Sequence, residues 1–346
     1  MRAIMDTNMF GAVLGAVPLP LVFIDADARI THANPEAVAI LGAGQVARHH
    51  AIALRQPALL QTIAAALQGG VAGQARFVVI GPSYEVTYLV AVTPLLQGAL
   101  CAFKDITEAE QIGQFRRDFV ANVSHELRTP LTTLTGFIET LKGAAKDDPA
   151  ARNRFLEIMG REAGRMTRLV RDLLSLSSVE AEERRRPTGL VNLADLLATV
   201  AASLRPMADA AGVVIEVSGQ EAVPVTADAD QLMQVFQNLI ENAVKYGQPG
   251  KVVSVVLHPV AAGQIRIDVV DQGAGIAAHH LPRLTERFYR IDAHRSREKG
   301  GTGLGLAIVK HILHRHQGRL TIASTPGQGS CFSVYVPSVG ASRQVS

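Results

Sequence analysis

The sequence predicts a multidomain α+β protein: a small mixed α/β domain, then a long helical hairpin, then an α/β sandwich. Three observations carry this. Short apolar runs alternate with turn signals over the first hundred residues. A spacing of fours and threes between apolar residues follows, and after it helical and strand-like periods alternate. Domains are expected over 9–107, 108–184 and 190–338. A chain of 346 residues exceeds one small core, and 48% hydrophobic with 19% charged residues marks folded rather than disordered protein.

In the first domain, Pro20 to Asp25 reads as a strand, Asp25 to Arg29 as a tight turn and Ile30 to Ala33 as the partner strand. Asn34-Pro35-Glu36 opens a short helix to Leu41, and Leu59 to Leu67 is helical. Arg76–Ile80, Glu85–Leu95 and Ala99–Asp105 read as three antiparallel strands. Cys101 and Cys331 sit in apolar, strand-like contexts and are expected in cores, not in a disulfide or metal site. His32, His49 and His50 read as ordinary histidines near turns rather than haem or metal ligands. The apolar segment Met9–Ile24 contains Pro18 and Pro20 and falls short of the roughly 17–25 residues of a spanning helix. A cytoplasmic chain is expected, with no membrane contact unless an anchor precedes it. Arg116 and Arg117 read as solvated charges.

In the hairpin, Phe115, Phe119, Val123, Leu127, Leu131, Leu134, Ile138 and Leu141 form one stripe, and residues 143–149 break it. Phe155, Ile158, Met166, Leu169, Leu173 and Leu176 form the second, interrupted by Glu162. Two amphipathic helices cannot close so wide a core, whereas two hairpins make a four-helix bundle, so self-association is expected. His125 lies two positions off the stripe and is expected exposed, as a nucleophile whose proton Glu126 takes. Thr129 shares its face one turn on. Pro130 cannot donate to the carbonyl of Glu126, which predicts a kink or loosened turn there.

The third domain is expected to hold helices at Leu193–Ala211, Ala229–Lys245 and Gly305–His316, with five strands in a mixed sheet covered on one face. Asn238, Asn242 and Lys245 share a helical face. The carboxamide oxygens of Asn238 and Asn242 and the Glu241 carboxylate suit Mg²⁺, with Asn242 the best ligand, Glu241 orienting or activating groups around the metal, and Lys245 placed for phosphate. Asp271 ends a strand, where its carboxylate can accept from an adenine amino group, and Gly273 and Gly275 let backbone approach a ligand. Gly301-Thr302-Gly303-Leu304-Gly305 opens a helix and offers N–H groups to phosphate. Between these clusters, Glu286–Arg290 and the polar run from Asp292 to Lys299 read as a lid anchored by Phe288. No Lys-Ser or Lys-Thr follows the glycines, which excludes a GxxxxGK[ST] phosphate loop. A formal charge of +3 without a concentrated basic footprint argues against direct nucleic-acid binding.

Together these clusters resemble the sensor histidine kinases of two-component systems. Ser124–Pro130 is similar to the phosphoacceptor box, Asn238–Tyr246 to the N box, Asp271–Gly275 and Gly301–Gly305 to the two glycine boxes, and Phe288–Arg290 to the F box. The stretch Thr129–Leu141 resembles the phosphate-regulon (PhoR-like) subgroup, although its members usually carry N-terminal membrane helices and this sequence shows none. The resemblance implies a PAS-like sensor domain, a dimeric HisKA-like hairpin and a GHKL/Bergerat-type ATP-binding domain similar to that of gyrase, the Hsp90 chaperones and mismatch-repair ATPases. It implies ATP and Mg²⁺ as cofactors, His125 as phosphoacceptor, Glu126 as acid/base and Thr129 in removing phosphate from the partner. It also implies Asn238 and Asn242 at the metal, Lys245 and Tyr246 on the nucleotide, Asp271 on adenine, and residues 301–305 on the lid and phosphates. The partners implied are a second copy of the chain and the aspartate of a response-regulator receiver domain. An ATPase clamp or a non-catalytic PAS-containing scaffold are the rival readings. The clamp predicts turnover without stable phosphohistidine, and the scaffold leaves the asparagine and glycine clusters without a task.

Overall fold

A computed structural model describes residues 7–81, 85–182, 185–219, 223–247, 251–258, 263–292 and 300–338. The side chains of Phe115 and Arg116, and the run 293–299 of the expected lid, lie outside the described residues. The chain divides into two compact units, the boundary falling between Ala121 and Asn122.

In the first unit, α1 (Thr7–Gly15) precedes β1 (Leu21–Asp25) and β2 (Ile30–Ala33). Then come α2 (Pro35–Leu41), α3 (His50–Ala53), α4 (Pro57–Gly69), β3 (Gly73–Ile80), β4 (Glu85–Leu95) and β5 (Gly98–Asp105). The strands form one antiparallel sheet in the order β2-β1-β5-β4-β3. Alternating residues put Val22, Ile24, Phe77, Val90, Val92 and Phe103 on one face, where Leu59 and Ile63 of α4 bury them. Buried Asn34 fixes the entry to α2: its Oδ1 accepts from the N–H groups of Ala37 at 3.1 Å and Leu21 at 2.8 Å. The expected strands and helices are all present. The apolar N-terminal segment is a short helix followed by a strand, and no described helix is long and apolar enough to cross a membrane. Cys101 is a buried core residue whose thiol burial pushes up to about 12. His49 caps α3, and buried His50 bonds the carbonyl of Ala28 at 3.0 Å, so both do structural work.

The hairpin consists of α5 (Thr107–Lys142) and α6 (Pro149–Ala181), α6 being capped by Asp148. Phe137 of α5 stacks on Phe155 of α6 with centroids 5.0 Å apart. The helix is unbroken through Pro130, so the loosened turn expected there is not a break. Thr129 Oγ1 donates to the His125 carbonyl one turn back at 3.2 Å. Leu169 and Leu176 are buried, while Leu131 and Ile138 of the first stripe, and Leu156, Val170 and Leu174 beside the second, stay exposed, so one hairpin leaves apolar surface uncovered.

The sandwich follows: β6 (Leu190–Asn192), α7 (Leu193–Ala211), β7 (Val214–Gly219), β8 (Pro224–Thr226), α8 (Ala229–Tyr246), β9 (Val252–Leu257) and β10 (Gln264–Asp271). A 3₁₀ turn (Ala278–Arg283), α9 (Gly305–Arg315), β11 (Arg319–Thr325) and β12 (Gly329–Pro337) complete it. The sheet order is β11-β12-β10-β9-β7, antiparallel except for the β7–β9 pair, so it is mixed as expected. β6 and β8 form a separate two-stranded sheet. Leu232, Val235, Phe236, Leu239, Ile240 and Val244 turn one face of α8 into the core, with Ile308 and Ile312 of α9. The opposite face of α8 is thereby left for polar residues.

Candidate active site

Four clusters far apart in sequence meet around α8. Asn238, Glu241, Asn242 and Lys245 lie half-buried on its polar side, and Lys245 donates to Glu241 Oε2 at 2.7 Å. A Cβ on Gly305 would lie 3.0 Å from Asn238 Oδ1, which places the start of α9 against that side. Gly273 meets the other end, where a Cβ would sit 2.3 Å from the carbonyl of Tyr246. Gly275 adopts φ +68 with the Thr325 carbonyl where a side chain would go, so only glycine fits. Exposed Tyr246 closes the edge.

Asp271, 5% exposed, ends β10 as expected, and its Oδ1 accepts from the N–H of Gly273 at 2.8 Å. Burial holds its carboxyl above the usual range, against bonds from Gly273 and Ser330. Phe288 and Gly303 are joined by a backbone bond of 2.8 Å from the Phe288 N–H, which ties the F-box segment to the second glycine cluster. Gly301 is half-buried beside buried Thr302, and Leu304 is fully buried as it enters α9. The donor set is therefore two amide side chains and one carboxylate on a single helix face, flanked by backbone that glycines leave open. Such a set suits a small hard cation that keeps most of its waters and bridges phosphates.

His125 is exposed on α5. Its neighbour Glu126 is not left to water. From α6, Arg165 donates to Glu126 Oε2 at 2.5 Å, and from the F-box segment Arg290 reaches Oε1 at 3.3 Å and Oε2 at 3.1 Å. Further contacts seat the sandwich on the hairpin. Thr302 Oγ1 donates to Asp172 Oδ2 at 2.6 Å, Ser175 Oγ to Gln234 Oε1 at 2.8 Å, and Arg315 pairs with Glu182 at 3.0 Å. Arg287 pairs with Glu180. Burial raises the Asp172 carboxyl above its ordinary value, against the pull of the Thr302 hydroxyl.

Residues 115–182 match the His Kinase A (phospho-acceptor) domain family, and residues 227–340 match the family of histidine kinase-, DNA gyrase B- and HSP90-like ATPases. Phosphate regulon sensor protein PhoR of Pseudomonas aeruginosa is 42% identical over 236 residues, 68% of this chain and 53% of that protein. The chain belongs to the sensor histidine kinases. Sensor protein kinase WalK of Staphylococcus saprophyticus is 38% identical over 250 residues, 72% of this chain and 41% of that protein. The chain thus spans about half the length of the curated relatives it matches. Among solved structures, the histidine kinase ThkA, crystallised with response regulator protein TrrA, aligns over 96% of this chain and 99% of that one. Its TM-score is 0.55 at 19% identity, a likeness of fold. The fold is that of these sensor kinases: a PAS-like mixed α/β domain, a HisKA hairpin and an ATPase-type sandwich.

The kinase fold brings together the asparagine, Asp271 and glycine clusters that the sequence singled out. It also engages residues that sequence reasoning passed over: Arg165, Asp172, Ser175 and Glu180 on α6. A signal for three of them was present. Arg165, Asp172 and Ser175 recur at spacings of seven and three, a polar stripe running beside the apolar one.

Proposed function

We propose that this chain binds ATP with Mg²⁺, phosphorylates its own His125 and passes the phosphoryl group to an aspartate of a response-regulator receiver domain. The observation that carries the reading is an exposed imidazole on the same compact unit as the convergent asparagine and glycine clusters. Asn242, with Asn238 and Glu241, would hold the Mg²⁺, whose charge would offset that of the phosphates. Asp271 accepts from the adenine amino group. Lys245 and Tyr246 contact the nucleotide, with Gly273 and Gly275 giving it room. Phe288 and residues 301–305 close over the phosphate tail, and Arg290, paired with Glu126 in this arrangement, would reach the nucleotide on leaving it. A ring nitrogen of His125 attacks the γ-phosphorus, the bond to the bridging oxygen breaks, ADP leaves and the ring proton passes to Glu126. Catalysis is chiefly positioning and charge stabilisation. Thr129 then assists hydrolysis of the regulator's aspartyl phosphate.

The exposed Leu131, Ile138, Leu156, Val170 and Leu174 support a homodimer, since a second hairpin would cover apolar surface of this kind. In this reading residues 9–107 are the sensor, 108–184 the dimerisation and phosphotransfer domain and 190–338 the ATP-binding domain of a cytoplasmic enzyme. The test is incubation of the full chain with [γ-³²P]ATP and Mg²⁺. Wild type should gain acid-labile, base-stable label, and His125→Gln none while still binding nucleotide. Asn242→Ala should lose both Mg²⁺-dependent binding and label. Label persisting in His125→Gln would refute the assignment.

A further inference from the structure

Arg165 is 7% exposed and lines a narrow niche with Glu126, Pro130, Met166, Leu169 and, from the sandwich, Thr302. A guanidinium cannot lose its charge, so one taken out of water must keep an anion beside it. Arg165 has two in reach: Glu126 Oε2 at 2.5 Å and, one turn back on its own helix, Glu162 Oε2 at 3.6 Å. Glu162 is also the residue that interrupts the apolar stripe of α6, a break that packing alone does not explain.

We propose that Arg165 is the positioning residue for Glu126 during phosphorylation of His125, with Glu162 as its reserve anion. The inference rests on the autophosphorylation reading above. Glu126 follows His125 directly, so the two side chains leave the helix about 100° apart and the carboxylate must be held to serve the ring. A glutamate side chain free to rotate would spend little time there. The charged groups that face Glu126 are His125 on its own helix, Arg165 on α6 and Arg290 on the F-box segment. Arg290 belongs to the sandwich and reaches Glu126 only where that domain is seated on the hairpin. Arg165 is carried by the same hairpin as Glu126, so that pair lies within one domain. When Glu126 takes the imidazole proton its charge disappears. Arg165 would then be stranded in its niche, but Glu162 is near enough to pair with it. The proton transfer is thereby spared an unpaired buried cation.

The experiment compares Arg165→Met, Arg165→Lys and Glu162→Gln in the full chain, following single-turnover label incorporation across ATP concentrations. Arg165→Met should lower the maximal rate by about tenfold or more with the ATP dependence unchanged, because the general base is misplaced while nucleotide binding is intact. Arg165→Lys should recover part of that rate. Glu162→Gln should slow the same step by a smaller factor, and it decides the matter if Arg165→Met does not fold. A wild-type rate in Arg165→Met, or in Glu162→Gln where Arg165→Met cannot be made, overturns the inference. So does a joint fall of rate and ATP affinity, which would mark a scaffold role only. A wild-type chain that forms no acid-labile label refutes the kinase reading itself, a result separate from any of these.

Discussion

Removing the bond between Thr302 and Asp172 should loosen the seating of the ATP-binding sandwich on the hairpin. The hydroxyl donates to the carboxylate at 2.6 Å, a short charge-assisted contact between residues 130 positions apart. Hydrogen bonds to charged groups contribute about 1.5–3 kcal/mol, and Asp172 is only half-buried, so the lower end applies. A loss of about 1.5 kcal/mol is roughly tenfold in the docking equilibrium. Asp172→Ala, Thr302→Val and the double variant form a cycle in which the coupling should be about 1.5 kcal/mol. The docked fraction can be read without nucleotide by energy transfer between labels on Lys142→Cys and Lys310→Cys, in a background with Cys331→Ser. The pH dependence has a definite sign. Burial raises the Asp172 carboxyl, so the docked state binds its proton more tightly than the free state does. Docking should therefore strengthen as pH falls through that raised value, and Asp172→Asn should remove the trend. Single-variant effects that add to within about 0.5 kcal/mol would refute the coupling.

Two further outcomes are expected. Buried His316 accepts from the Asp228 N–H through Nε2 at 3.1 Å, while its Nδ1 faces the Ile312 carbonyl at 2.8 Å, an arrangement for the neutral ring. Burial lowers its pKa, so its contribution is present above the unfolded value of about 6.5 and is lost as pH falls below it. Urea unfolding between about pH 8 and about pH 5.5 should show the sandwich weakening on the acid side, and His316→Gln should flatten that slope. Gly275→Ala would need a methyl 2.1 Å from the Thr325 carbonyl at φ +68. Nucleotide binding measured by calorimetry should be lost or fall steeply, while far-ultraviolet dichroism keeps the sandwich's helical signal.

The fold was legible where a side-chain period ran long enough to be counted. Ile265, Ile267 and Val269 announced β10, and the spacing of Asn238, Asn242 and Lys245 announced the polar face of α8. What was missed is short or distant. β6 and β8 have three residues each, too few for any period, and are held by pairing across more than thirty positions. The 3₁₀ turn at Ala278–Arg283 contains Pro282 and shows no helical stripe. At the site, His125 and Glu126 could be placed on a helix, but not the arginines that hold the glutamate, which lie 39 and 164 positions away. Charge pairs of that kind leave no local pattern, because either partner reads as an ordinary surface residue until the chain closes.

The segment between the hairpin and the sandwich sets how far the two can part. Eight residues, 182–189, separate the end of α6 from β6, and β6 is anchored by its ladder to β8. Fully stretched, such a leash spans roughly 30 Å. Two domains joined by so short a tether face one another at an effective concentration in the millimolar range. The faces that meet here therefore need only feeble intrinsic attraction to stay seated.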